Sequence, residues 1–146
     1  MIHVIAGAAV WELFWWARRR RVRSEMYEAA TARAAELGRP LIVVGAPDGG
    51  VTAGYGCGDA TVDLAGSSCP NSYAANICTG LPFDDDSAVV YVSCVLEYVD
   101  DYDSAMQELY RVSGGQLFLV RVEPWTATAF LYPGAKRRLR SNLSPQ

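Results

Sequence analysis

The sequence predicts an α/β domain: a small, doubly wound, mostly parallel sheet preceded by a long N-terminal helix. Three observations lead there. Short apolar runs, several rich in β-branched residues and closed by turn residues, recur between residues 41 and 122, the pattern of strands buried on both faces. One stretch with apolar residues at helical spacing falls between the last two runs. Ahead of them an apolar leader passes through an arginine run into an Ala-rich stretch that favours helix.

The leader comes first. Residues 1–17, MIHVIAGAAVWELFWWA, are interrupted only by His3 and Glu12 and run into Arg18-Arg19-Arg20-Arg21-Val22-Arg23. The charge follows the apolar stretch, and no small-residue cleavage site precedes it, so the pattern is not that of a cleaved secretory signal. As a helix, 17 residues reach roughly 25 Å, just short of a hydrocarbon core. Trp11, Trp15 and Trp16 stand where an interfacial belt would fall, and the arginines would hold their end on the cytosolic side. Residues 1–23 are therefore expected to be a membrane anchor with a basic flank, spanning as a single pass or lying in the interface. A helix packed on the domain is the remaining reading. Residues 24–40, ended by Gly38-Arg39-Pro40, are expected to be a helical stalk.

The body, 41–132, follows. LIVVG at 41–45 reads as the first strand, ATVDL at 60–64 as the second, a weaker third lies around Tyr73 to Ile77, and AVVYVS at 88–93 is the fourth. Tyr102, Ala105, Met106, Leu109 and Tyr110 then mark one helix face, with Asp100 or Asp101 to cap it and Gly114-Gly115 to end it. QLFLVRV at 116–122 is the fifth strand. At 146 residues the chain has room for one compact domain and none for a separate substrate domain.

Charge divides the chain into three blocks. Residues 1–40 hold seven basic and four acidic side chains, residues 41–132 two and twelve, and residues 133–146 four and none. An acidic body argues against a surface that neutralises many phosphates, so no nucleic-acid partner is expected. The tail, 133–146, with Lys136, Arg137, Arg138 and Arg140, follows an apolar aromatic stretch. It is expected either to meet an anionic lipid surface together with the basic flank of the leader or to be the frayed end of a final strand or helix.

Several motifs point away from chemistry. Cys57, Cys69, Cys78 and Cys94 are separated by 12, 9 and 16 residues, without the close pairs of a zinc site, and His3 is the sole histidine. No metal is expected, and the cysteines read as free thiols in a reducing compartment. Gly54, Gly56 and Gly58 form a G-x-G-x-G without a preceding strand, which reads as a mobile or tightly turned loop. Asp84-Asp85-Asp86 reads as a solvated turn and Asp100-Asp101 with Asp103 as a helix cap, neither having calcium-loop spacing. A Ser-His or Cys-His hydrolase would lack its base.

In a doubly wound sheet, ligands bind beyond the carboxyl ends of the strands where strand order reverses. That rule selects the loop from Gly45 to Gly50, Asp63 closing the second strand, Asn76 and Ile77 closing the third, and Ser93 and Cys94 closing the fourth. Glycines admit close backbone approach, and a carboxylate there can accept ribose hydroxyls.

Residues 41–122 resemble a class I S-adenosylmethionine-dependent methyltransferase of the small type 11 sort. The segment LPFDDDSAVVYVSCVLEYVDDYDSAMQELYRVSGGQLFLV at 81–120 is similar to that family's LPF turn, fourth strand, V-L-E-H-V-like segment, helix with an E-x-x-R-V ending, and Gly-Gly turn into the fifth strand. Tyr55-Gly56-Cys57-Gly58-Asp59 and PGAKRR at 133–138 are also similar to a short, membrane-anchored branch encoded by large DNA viruses, a branch that brings no established activity. The resemblance implies a Rossmann-like fold, S-adenosylmethionine as cofactor and methyl transfer to an acceptor it does not name. It implies that Gly45, Pro47, Gly49 and Gly50 form the cofactor loop, that Asp63 holds the ribose, that Asn76 and Ile77 border the adenine, and that Ser93 lies beside the methionine end. Cys94, Glu97 and Tyr98 would face the acceptor. The chain departs from the pattern at Pro47 for the middle glycine, Val43 for a common acidic residue, Tyr98 for a common histidine, and in the seven residues 51–57 that separate loop from next turn. The alternative expectation is a catalytically inactive Rossmann-like module for binding or assembly with a protein partner at a membrane.

Overall fold

The computed structural model describes residues 2–48 and 53–121. Helix α1 (Ile2–Leu37) leads into strand β1 (Leu41–Val44), followed by β2 (Ala60–Asp63), β3 (Ser72–Ala74), β4 (Val89–Ser93), helix α2 (Tyr102–Ser113) and β5 (Leu117–Val120). The strands form one sheet in the order β3-β2-β1-β4-β5. Every pairing is parallel, so the expected mostly parallel sheet is wholly so. This is a small Rossmann-like α/β fold, and strand order reverses between β1 and β4, where Val43 pairs with Thr61 on one side and Tyr91 on the other.

Alternation within the strands sends side chains to two cores. Ile42, Val44, Val62, Val90 and Val92 meet Ala105, Leu109 and Val112 of α2. Leu41, Val43, Val89, Tyr91 and Val120 meet Ala30 and Ala34 of α1. Burial on both faces is what the unbroken apolar runs of β1 and β4 require. Helix α2 starts where the Asp101 carboxylate accepts the amides of Asp103 and Ser104, both at 3.1 Å, and ends at Gly114 in the left-handed region.

Four expectations change. The stretch read as a stalk is the C-terminal half of α1, and it covers the sheet: Ala30 and Ala34 are buried there because small side chains let the helix approach the strands closely. No helix among the described residues is long and apolar enough to cross a membrane, because the leader meets the arginines too soon. The third strand ends at Ala74, which leaves Asn76 and Ile77 in the turn after it. Two of the four cysteines are not thiols: Cys57 and Cys69 are joined in a disulfide with Cα atoms 5.7 Å apart, while Cys78 and Cys94 are free.

The disulfide arises from topology. Parallel pairing of β2 with β3, Thr61 opposite Ser72, sets the end of the β1–β2 loop beside the end of the β2–β3 loop where each enters its strand, so residues 12 apart meet. The Asp48 carboxylate, accepting from the Ser68 amide and hydroxyl, ties the same two loops a second time.

Candidate functional site

The rim where β1 and β4 diverge is built from four segments: the end of β1, the end of β2, the end of β4, and residues 53–59 before β2. Gly45 continues the β1 ladder, its amide donating to the Val62 carbonyl at 2.8 Å, and then turns with φ +101°. A side chain at Gly45 would meet Val95 at 2.9 Å and the Ser93 carbonyl at 3.0 Å. The glycine therefore exists for close packing against the β4 exit.

Asp63 stands at the end of β2, and its carboxylate serves the local backbone. Oδ2 accepts the Ala46 amide and Oδ1 the Ala65 amide, each at 3.1 Å. The result ties the start of the β1 loop to the end of β2. Tyr55 closes the rim from above, its hydroxyl directed at the carbonyls of Ala46 (3.2 Å) and Gly45 (3.4 Å).

Of the sequence-selected residues, the structure brings Gly45, Asp63 and Ser93 to one rim and sends others elsewhere. Pro47 is half-buried in the loop after β1, and Gly49 and Gly50 lie outside the described residues. The Asn76 side chain is spent on its own turn, accepting the Cys78 amide at 2.9 Å. Ile77 is a core residue, 5% exposed, against the α2 face of the sheet. Glu97 is buried and Tyr98 half-buried in the turn after β4, where the Tyr98 amide donates to the Val95 carbonyl at 2.9 Å.

Cys94 is the unusual member. It has φ +53°, rare for a residue with a side chain, and its sulfur accepts from the Arg23 guanidinium of α1 at 3.1 Å. Burial pushes the Cys94 thiol up against the opposing pull of Arg23. Burial also raises Tyr55 and Tyr91, with the neighbouring Ser93 hydroxyl pulling both back.

Residues missed by the sequence reading complete the rim. Tyr91, fully buried on β4, donates to the Arg23 carbonyl at 3.1 Å. Tyr27 of α1 packs edge-on against Tyr91 at 5.6 Å, and Tyr55 lies 5.3 Å from Tyr91. Three tyrosines from α1, the 53–59 segment and β4 thus meet over the β1 and β4 exits. The arginine run is split: Arg19 is buried and Arg23 half-buried toward the domain, while Arg18, Arg20 and Arg21 face outward. Helical periodicity marks Arg19 and Arg23 as one face; nothing local marks that face as the one docked.

The acidic clusters are structural. Asp86 pairs with Arg39 and Asp85 with Arg111, both at 2.5 Å, and Glu108 holds Arg111 and the Leu81 amide, both at 2.6 Å. Comparison with family models, with curated proteins and with solved structures finds no match to this chain.

Proposed function

We propose that this chain is a Rossmann-like binding module held at a membrane surface and that, in its disulfide-bonded form, it does not transfer methyl groups. One observation carries the reading: the rim that would receive a nucleoside is closed by the chain itself. Val95 and the Ser93 carbonyl occupy the space over Gly45, Tyr55 covers the Gly45 and Ala46 carbonyls, and Asp63 is engaged by two amides. Calorimetry with S-adenosylmethionine and its demethylated product tests it. No heat at millimolar ligand is expected of the folded, oxidised protein, and a saturable isotherm overturns the reading.

Methyl transfer from S-adenosylmethionine is the second reading. It is favoured by the strand order and by a carboxylate, Asp63, beside the Gly45 turn where a ribose would be held. In that reading the cofactor carries the activated methyl group and the protein supplies positioning. The isotherm separates the two.

Support for the membrane surface comes from α1. Val10, Trp11, Leu13, Phe14 and Trp16 are exposed. At about 100° per residue, Val10 and Phe14 stand opposite Arg19 and Arg23, Trp11 and Leu13 flank them and Trp16 falls near Arg23, so a narrow apolar strip points away from the face docked on the domain. Arg18, Arg20 and Arg21 follow it within two turns, suited to anionic headgroups worth about 1 kcal/mol per charge. The helix then lies in the interface. The disulfide favours an oxidising compartment over the cytosolic side that the arginine flank alone suggests. Sedimentation with phosphatidylserine-containing vesicles, and weaker sedimentation with neutral ones, is the expected outcome; no sedimentation with either overturns it.

A further inference from the structure

Residues 53–59 form a strap across α1. Gly54 lies so close to the helix that a Cβ would stand 2.7 Å from the Arg20 carbonyl, and Gly56 so close that one would stand 3.1 Å from the Tyr27 hydroxyl. That hydroxyl donates to the Cys57 carbonyl at 2.7 Å. The strap also carries Tyr55 onto the carbonyls of Gly45 and Ala46. Its far end is fixed by the Cys57–Cys69 bond to the loop between β2 and β3. Cys57 is exposed, whereas Cys69 is 7% exposed, so the bond is approached from the Cys57 side.

We propose that the Cys57–Cys69 disulfide is a thiol–disulfide exchange site and acts as a latch, holding the strap over α1 and the β1–β4 rim until a dithiol reductant releases it. A thiolate of the dithiol attacks the exposed Cys57 sulfur and displaces Cys69 as a thiolate, which takes up a proton. The second thiol of the reductant then displaces Cys57. The protein gains two electrons and two protons, and the reductant departs as its own disulfide. With the cross-link gone, the strap loses its covalent tie. Asp59, on the Leu41 amide and the Asn71 side chain, still anchors its end at β2. Residues 53–57 are held by the Tyr27 hydrogen bond, the glycine contacts and the weaker Tyr55 contacts at the rim, which can then open. The latch stands independently of what the rim binds.

The two free cysteines supply the readout. Cys94 sits under Arg23 at the exit of β4, on the same core face as Tyr55, while Cys78 lies on the opposite face by Asp101. In the full-length protein, site-resolved alkylation and hydrogen exchange are measured before and after dithiothreitol, and in the Cys57→Ser/Cys69→Ser variant. Expected are a tenfold or greater rise in Cys94 alkylation and in exchange of amides 53–59, little change at Cys78 or in α2, and reversal on reoxidation of the wild type. An unchanged strap and Cys94 overturn the latch. So does loss of α2 protection together with the strap, which would make the bond a staple of the whole fold. An intact mass showing four thiols in the oxidised preparation also overturns it.

Discussion

The carboxylate of Asp63 and the amide of Ala46 meet at 3.1 Å, joining the exit of β2 to the first turn after β1. The same side chain accepts the Ala65 amide, so the residue expected to hold a ribose organises the backbone on both sides of the rim. Removing it leaves two amides without that partner. Asp63→Ala is expected to lower stability by about 1–3 kcal/mol in urea unfolding, with no cofactor present. A change within experimental error would show that the rim does not depend on it.

Gly58 gives a sharper steric test. An added Cβ would lie 2.5 Å from the Leu41 carbonyl and 2.7 Å from that of Ala60, and these are strand backbone that cannot swing aside. Gly58→Ala is expected to cost about 1–3 kcal/mol or more. Gly7, helical and with open space around it, is the control, and Gly7→Ala should be neutral or stabilise by up to about 1 kcal/mol. Thermal unfolding of the pair should move in opposite directions or only for Gly58.

Helix α2 rests on its cap and on Leu109. Asp101→Ala removes the acceptor for two first-turn amides and is expected to cost about 1 kcal/mol. Leu109→Ala, at a site with no exposed surface, is expected to cost about 2–5 kcal/mol through lost burial and the cavity left. Equal losses for the two variants in denaturant titrations would contradict this ranking.

Acid should loosen the turn before β4. The Arg111 guanidinium holds the Glu108 carboxyl below its ordinary 4.5, and Arg39 holds Asp86 below 3.8. Groups depressed on folding stabilise the protein above their ordinary values, and that contribution is lost as pH falls through the depressed ones. Stability is therefore expected to decline as pH drops below about 4.5, and Glu108→Gln should flatten part of the slope. An identical pH profile for the variant would remove Glu108 from the account.

Tyr91 ties the sheet to α1 through one hydrogen bond to the Arg23 carbonyl. Tyr91→Phe keeps the ring contacts with Tyr27 and Tyr55 and is expected to cost about 0.5–1.5 kcal/mol. Faster exchange should follow at α1 amides near Arg23. Unchanged exchange there would mean the helix is held by packing alone.

The strands and α2 were legible because their signals are local. Val89 to Ser93 is apolar without break and buried throughout, and the Tyr102–Tyr110 spacing fixes one helix face. The glycines at 54, 56 and 58 read as a mobile or tightly turned loop, and the structure packs them closely, but what they pack against, Arg20, Tyr27 and β1, lies elsewhere in the chain. The rim was half legible: Gly45, Asp63 and Ser93 follow from the strand ends, whereas Asn76 and Ile77 were misplaced because β3 stops at Ala74.

The sequence by itself determined the order of elements, the double burial of β1 and β4, and both ends of α2, since each is written in the spacing and capping of neighbouring residues. Only the tertiary structure decided that Cys57 bonds Cys69, that Arg19 and Arg23 turn inward, and that Tyr55 covers the Gly45 turn. Those three depend on which distant segments the parallel sheet and α1 bring side by side, and such proximity leaves no trace in local periodicity.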